Sequence, residues 1–379
     1  MKRSYLIYFL IIALTVICCK KVYQPPAITV NYNFLVVEGV INTGTAAITT
    51  IKLSRTRSLG DSSVSLRTEK GAQVQIESES GNTFLLSDKG NGIYQSVALS
   101  LNPTLRYRLR ITTTVGSTYQ SAFVAAKQTP AIDSVTWQRD KDLKIFVHTH
   151  DPANHTLYYR WEFDETWQYR AAYQASMGVK NRIIFYLDST NQTYNCWGTE
   201  HSTNIITAST AVLAKDVISY TPVRVITDST EKPAIRYSIN VLQFALTEDA
   251  YNYWEILKKN TQQTGTIFDP QPSQNNGNLK CISNPEEPVL GFVSACSVTE
   301  KRIFINNNQL VNWVYIDPAV SNCVQTTGSQ DPNNFLHFIY PDTTFSPYYF
   351  ITPGTVAILK TPCLDCTRRG GTNSKPSFW

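Results

Sequence analysis

The chain has 379 residues, enough for two domains that each enclose a core without staples. Its formal charge is only +5 and it holds no dense basic cluster, which excludes an electrostatically driven nucleic-acid binder. Aromatic residues make up 12% and charged residues 17%, a rich and a poor share for a soluble protein, so extensive β-structure is expected. The first element is a leader. Lys2 and Arg3 precede an uncharged run from Tyr5 to Ile17 that has the length of a signal-peptide core and is short for a membrane span. The run stops at Cys18-Cys19, followed by Lys20 and Lys21. Removing residues 1–18 takes out Lys2 and Arg3 and lowers +5 by two, to +3.

An apolar run that stops at a cysteine resembles the signal of bacterial lipoproteins. That signal has a branched apolar residue three positions before the cysteine and a small residue just before it. For Cys19 these positions hold Val16 and Cys18; for Cys18 they hold Thr15 and Ile17, and Ile is bulky for a cleavage site. Cys19 is the expected lipidation site, with a plain secretory signal as the alternative. A fully acylated cysteine carries several chains, which hold a membrane firmly where one does not. Residues 19–28 then read as a lipid tether stiffened by Pro25-Pro26.

Residues 29–128 read as strands throughout, an N-terminal antiparallel β-sandwich. In Leu105–Ile111, Leu105, Tyr107, Leu109 and Ile111 face one side and Arg106, Arg108 and Arg110 the other. Turn signals such as Gly90-Asn91-Gly92 separate the runs. Thr129-Pro130 marks a boundary, and residues 129–305 are expected to form a second sandwich. Its opening strands alternate through Val135 and Trp137, then Leu143, Ile145 and Val147, then Tyr159, Trp161 and Phe163. This run resembles the start of a fibronectin type III domain, and residues 235–246 resemble its Tyr-bearing strand, with Ile235, Tyr237, Ile239, Val241 and Gln243 on one face. A last strand is expected over 289–298, continuing to 302–305. Residues 168–220 are then a long insertion.

Thr247 is placed to cap a helix over 248–263, with Glu248 and Asp249 in its first turn and Ala250, Tyr251, Trp254 and Leu257 as its apolar stripe. A second helix is expected over 165–176. Residues 306–379 read as an irregular C-terminal extension packed on the second domain, ending on a docked Phe378-Trp379.

Export gives the eight cysteines a specific meaning. Cys18 leaves with the leader and Cys19 takes lipid; Cys196, Cys281, Cys296, Cys323, Cys363 and Cys366 remain. They could form up to three disulfides, in fifteen possible pairings. Cys363-x-x-Cys366 lacks the βαβ setting of a redox motif and the second ligand pair of a zinc site, so structural bridges are expected.

No cluster identifies a reaction, and no cofactor or metal is expected. His148 and His150 share a strand face beside Asp151, without an identifiable third ligand. Glu162 and Asp164 also share a face, and paired carboxylates hydrolyse glycosides when held about 5–9 Å apart. Exposed adjacent acids are far commoner, so a hydrolase is the least favoured reading. Trp167, Tyr169, Tyr173 and Trp197 are the candidate aromatic binding surface, set against the alternative that they cover the insertion.

Long stretches in order along the mature chain, among them 34–43, 129–137, 158–169, 236–254, 265–278 and 363–379, resemble a Bacteroidota lipoprotein family known as domain of unknown function 4249. The resemblance implies an outer-membrane lipoprotein of the cell envelope, periplasmic or surface-facing, held by its N-terminal lipid. Such proteins are often encoded beside TonB-dependent transporters. It carries no catalytic residues. The expected function is therefore a binding or accessory subunit of such a transporter or another envelope complex, its ligand unknown. A carbohydrate- or peptide-binding surface protein is the alternative.

Overall fold

The computed structural model describes residues 33–57, 67–180, 183–262, 277–318, 320–329, 344–353 and 355–379. Cys19 and the tether 19–28 lie outside the described residues. Strands dominate from the start: β1 (Leu35–Asn42), β2 (Thr50–Arg55), β3 (Arg67–Thr68), β4 (Gln73–Ser78), β5 (Thr83–Asp88), β6 (Ile93–Gln95), β7 (Arg106–Thr112), β8 (Thr118–Ser121) and β9 (Val124–Lys127). The alternation works as expected. Tyr107, Leu109 and Ile111 are buried while Arg106 and Arg110 are exposed.

The second unit starts with β10 (Ile132–Arg139), β11 (Leu143–His150) and β12 (Tyr158–Arg170). It continues with β13 (Met177–Lys180), β14 (Ile183–Tyr186), β15 (Asn195–His201), β16 (Ile206–Ser209), β17 (Val217–Ile226) and β18 (Arg236–Ala245). One sheet runs β10-β11-β17; the other contains β15-β12-β18, with β16 also on β12. They enclose one core in which Leu143, Ile145 and Val147 meet Tyr159, Trp161, Tyr237, Ile239 and Val241. A polar group in this core is fully paired. Gln243 accepts from Trp161 Nε1 (2.8 Å) and donates to the Pro130 carbonyl and to Thr149 Oγ1.

The helix expected over 165–176 does not form. Glu165–Arg170 continue β12, because hydrogen-bonding partners are present on both sides, β15 and β18. Helix α1 (Glu248–Gln262) does form, and Thr247 Oγ1 accepts from Ala250 N at 3.3 Å. Its buried face joins Phe244 and Leu246 of the second unit to Val40 and Cys296 of the first, so α1 wedges between the two units.

After α1 the chain returns to the first unit. β19 (Leu279–Cys281) adds to β8, and β20 (Ser294–Cys296) inserts between β1 and β9, parallel to both. With β9 also paired to β7, the circuit β1-β2-β6-β5-β4-β7-β9-β20 closes on itself. The first unit is therefore a closed, barrel-like sheet of eight strands, not the expected antiparallel sandwich. Side chains such as Leu35, Ile51, Val74, Tyr94 and Leu109 fill its interior, as a circuit of eight requires. The stretch 289–298 accordingly does not serve as the second unit's last strand. Ser297 breaks it, and β21 (Val298–Asn306) alone pairs with β18. The two crossings from the first unit into the second lie side by side, with Ser297 N donating to the Lys127 carbonyl and Thr129 N to Ser297 Oγ.

The remaining chain forms a sheet β22-β24-β23 from β22 (Thr326–Ser329), β23 (Phe345–Thr352) and β24 (Thr355–Lys360), then the short helix α2 (Thr361–Leu364). It packs on the β13-β14 region through Met177, Val356 and Ile358. The terminal aromatics are docked as expected. Arg302 stacks over Phe378 at 3.7 Å, and Trp379 meets Phe304 and Trp197 edge-on.

Candidate functional site

A cavity of about 690 Å³ opens where the barrel, the second unit and α1 meet. Its floor is the outward face of β1 and β2, which includes Val36 and Val40. A barrel's outer face is ordinarily polar; here the alternation of β1 places apolar residues outward because α1 stands over them. α1 supplies Trp254 and Leu257 as one wall. The second unit supplies Leu242 and Phe244 as the other, and Leu290 to Phe292 close the end. Gly291 has φ +130, and a Cβ there would collide with the Val37 carbonyl oxygen. That opening lets Leu290 hydrogen-bond along β1, to Val37 N at 2.8 Å.

One charged side chain is sunk into this apolar wall. Arg160 on β12 is 7% exposed, with its guanidinium 4.2 Å from the centre of the Trp254 ring and 4.6 Å from that of Phe244. Nη1 donates to Glu162 Oε1 at 2.6 Å, while Nε is buried with no partner among the described residues. At the rim, Lys52 pairs with Glu38 at 3.3 Å, both well solvated. The groove is thus apolar, with one desolvated and under-bonded cation on its wall and no excess charge at its mouth.

The family model described as "Domain of unknown function (DUF4249)" matches residues 22–302. The chain belongs to this family. In this DUF4249 member the match covers the barrel, α1 and the second unit to the middle of β21, so every residue of the groove falls inside it. The stretch 363–379, one of those that suggested the resemblance, falls outside. None of the curated proteins matches the chain. Among solved structures it is similar to the FN1–FN3 domains of chicken CNTN1, with 14% identity, TM-score 0.16 and 56% of this chain covered. It spans 60% of that structure's length. It is also similar to the BSP domain of a biofilm associated protein, with 8% identity and TM-score 0.14 over 88% of this chain and 78% of that one.

The candidate aromatic surface is not a surface. Trp167 and Tyr169 fall in the phase of Tyr159, Trp161 and Phe163, and because β12 runs on to Arg170 they turn inward with them. Tyr169 is buried and its hydroxyl donates to the Cys366 carbonyl at 3.0 Å. Trp167 lies over Gly198 with Lys232 against its ring. Trp197 is buried beneath the C-terminal segment, bonded through its backbone to Thr372. Only Tyr173 is exposed, and its ring faces Tyr348. Tyr169, Tyr173 and Trp197 hold the C-terminal segment in place.

Two disulfides form, Cys196–Cys366 and Cys323–Cys363. The two cysteines of the C-x-x-C pair therefore bridge to different partners, one on β15 and one ahead of β22. Cys281 and Cys296, two of the six candidates for bridges, stay reduced, because they are buried in separate clusters, the barrel core and the α1 interface. Burial pushes the Cys296 thiol up to about 12. A thiol titration of the mature chain is expected to find no fast-reacting group when folded and two after unfolding; two fast thiols in the folded protein would refute the assignment.

His148 sits between Thr136 Oγ1 and Tyr220 N, and His150 pairs with Asp133 at 2.8 Å. Among the described residues no cluster of three or more His, Cys, Asp or Glu could hold a metal. Glu162 turns to Arg160 in the groove, whereas Asp164 pairs with His201. Sequence reasoning passed over Arg160. It lies on the outward phase of β12, and only the later arrival of α1 buries it.

Proposed function

We propose that this chain is an outer-membrane lipoprotein, anchored through Cys19, that works by binding as an accessory subunit beside a TonB-dependent transporter or in another envelope complex. The groove is its ligand site. The observation that supports the reading is the groove itself: apolar, preformed between three packed elements and of a size suited to a small ligand. We read the second unit as a fibronectin III-like sandwich, supported by sheets β10-β11-β17 and β15-β12-β18-β21 facing each other across one core. The carbohydrate-surface alternative loses its motivation with the burial of Trp197 and Tyr169. Extraction of membranes in mild detergent, followed by purification of the tagged chain, is expected to bring a barrel transporter with it. Repeated recovery of the chain alone would count against the reading.

A further inference from the structure

The cation in the groove is poorly satisfied. Arg160 has five N–H donors and cannot lose its charge, yet among the described residues its side chain makes a single hydrogen bond, to Glu162. Its side chain is 8% exposed, while that of Glu162 is 44% exposed and solvated on its far side. The rings of Phe244 and Trp254 pack against the guanidinium without satisfying its in-plane donors. A second acceptor arriving from the groove would therefore gain a charge-assisted bond from a group already desolvated and oriented.

The rest of the groove narrows what that acceptor can belong to. Val36, Val40, Leu257, Leu290 and Phe292 offer only apolar contact. The floor strand has no free edge to take a peptide backbone, because β1 is paired with β2 along one side and with Leu290 and β20 along the other. A peptide could not extend the sheet here. The rim pair Lys52–Glu38 balances itself, so one head-group position remains, at Arg160.

We propose that the groove takes an unbranched apolar chain ending in one carboxylate, of the medium-chain fatty-acid type, with the carboxylate on Arg160 and the chain along β1 and α1. This deepens the binding reading above and rests on its choice of site. The test is calorimetric titration of the folded mature chain with sodium decanoate and, separately, with decan-1-ol. Decanoate is expected to bind on the order of tenfold or more tightly than the alcohol. Glu162→Gln, which removes the competing carboxylate, is expected to tighten decanoate and leave decanol unchanged. Arg160→Met is expected to abolish the preference. Should that variant fail to fold, the comparison of probes and the Glu162→Gln titration decide the matter on folded protein. Equal affinity for acid and alcohol, no binding of either, or weaker decanoate binding by Glu162→Gln would overturn the proposal. Co-purification of a transporter is read separately, so a negative result here leaves the accessory role standing, and the reverse also holds.

Discussion

Glu165→Ala is expected to lower the unfolding free energy by about 3 kcal/mol or more, within the range of about 3–5 kcal/mol for deleting one partner of a buried ion pair. Glu165 is 1% exposed, at the centre of the second unit. Arg224 on the opposite sheet donates to both its oxygens, at 3.0 and 3.3 Å. Lys232 donates to Oε1 and also to Glu200, and the Tyr237 hydroxyl donates to Oε2 at 2.7 Å. Burial, with the Glu165 charge adding to it, holds that hydroxyl far above the usual tyrosine range, so it stays a donor. Removing the carboxylate takes the acceptor from Arg224 and from a buried hydroxyl, and leaves Lys232 with Glu200. Arg224 and Lys232 retain some solvent contact, 28% and 17% of their side chains, which places the expected loss at the lower end. Glu165→Gln keeps an acceptor for Tyr237 and should cost less than the alanine variant. Urea unfolding followed by tryptophan fluorescence measures both; a loss below about 1 kcal/mol for Glu165→Ala would show that the network contributes little.

The position of Glu165 was written in the sequence and easily overlooked. The alternation Tyr159, Trp161, Phe163 puts the next residue of that phase, Glu165, inside. Tyr169 is buried and Trp167 partly buried by the same period once the strand is known to continue. What hid it was a local helical pattern over 165–176. The pairing of β12 on both sides outweighs that pattern, since tertiary context overrides local propensity. The strands of the first unit, the Thr247 cap and the docked C-terminus were equally legible. The barrel closure was not. β20 comes from more than 150 residues beyond β9, and a three-residue apolar strand carries no mark of the neighbours it will join. The groove draws on that return, because Leu290 to Phe292 run beside β1 on the returning chain, and Arg160 is covered by Trp254 of α1 together with Phe244.

The second large effect is expected from the link between β15 and the C-terminal segment. Cys196–Cys366 closes a separation of 170 residues and Cys323–Cys363 one of 40. If a bridge acts mainly by restricting the unfolded chain, the longer loop contributes more, about 5 kcal/mol against about 4 kcal/mol. Its native context adds to the difference. Around Cys366 the Tyr169 hydroxyl donates to its carbonyl, and Cys366 N donates to the Thr193 carbonyl. A few residues on, Arg369 pairs with Asp317 at 2.9 Å and with Glu231, and Thr372 bonds Trp197. Without the bridge, the chain beyond Cys363 is held by non-covalent contacts alone. The paired variant Cys196→Ala/Cys366→Ala avoids leaving a lone reactive thiol. It should lower the urea midpoint more than Cys323→Ala/Cys363→Ala does, and it should expose the chain after Thr361 to limited proteolysis while the barrel stays intact. The opposite order of midpoints would mean that local packing around α2, rather than the length of the closed loop, sets what these bridges contribute.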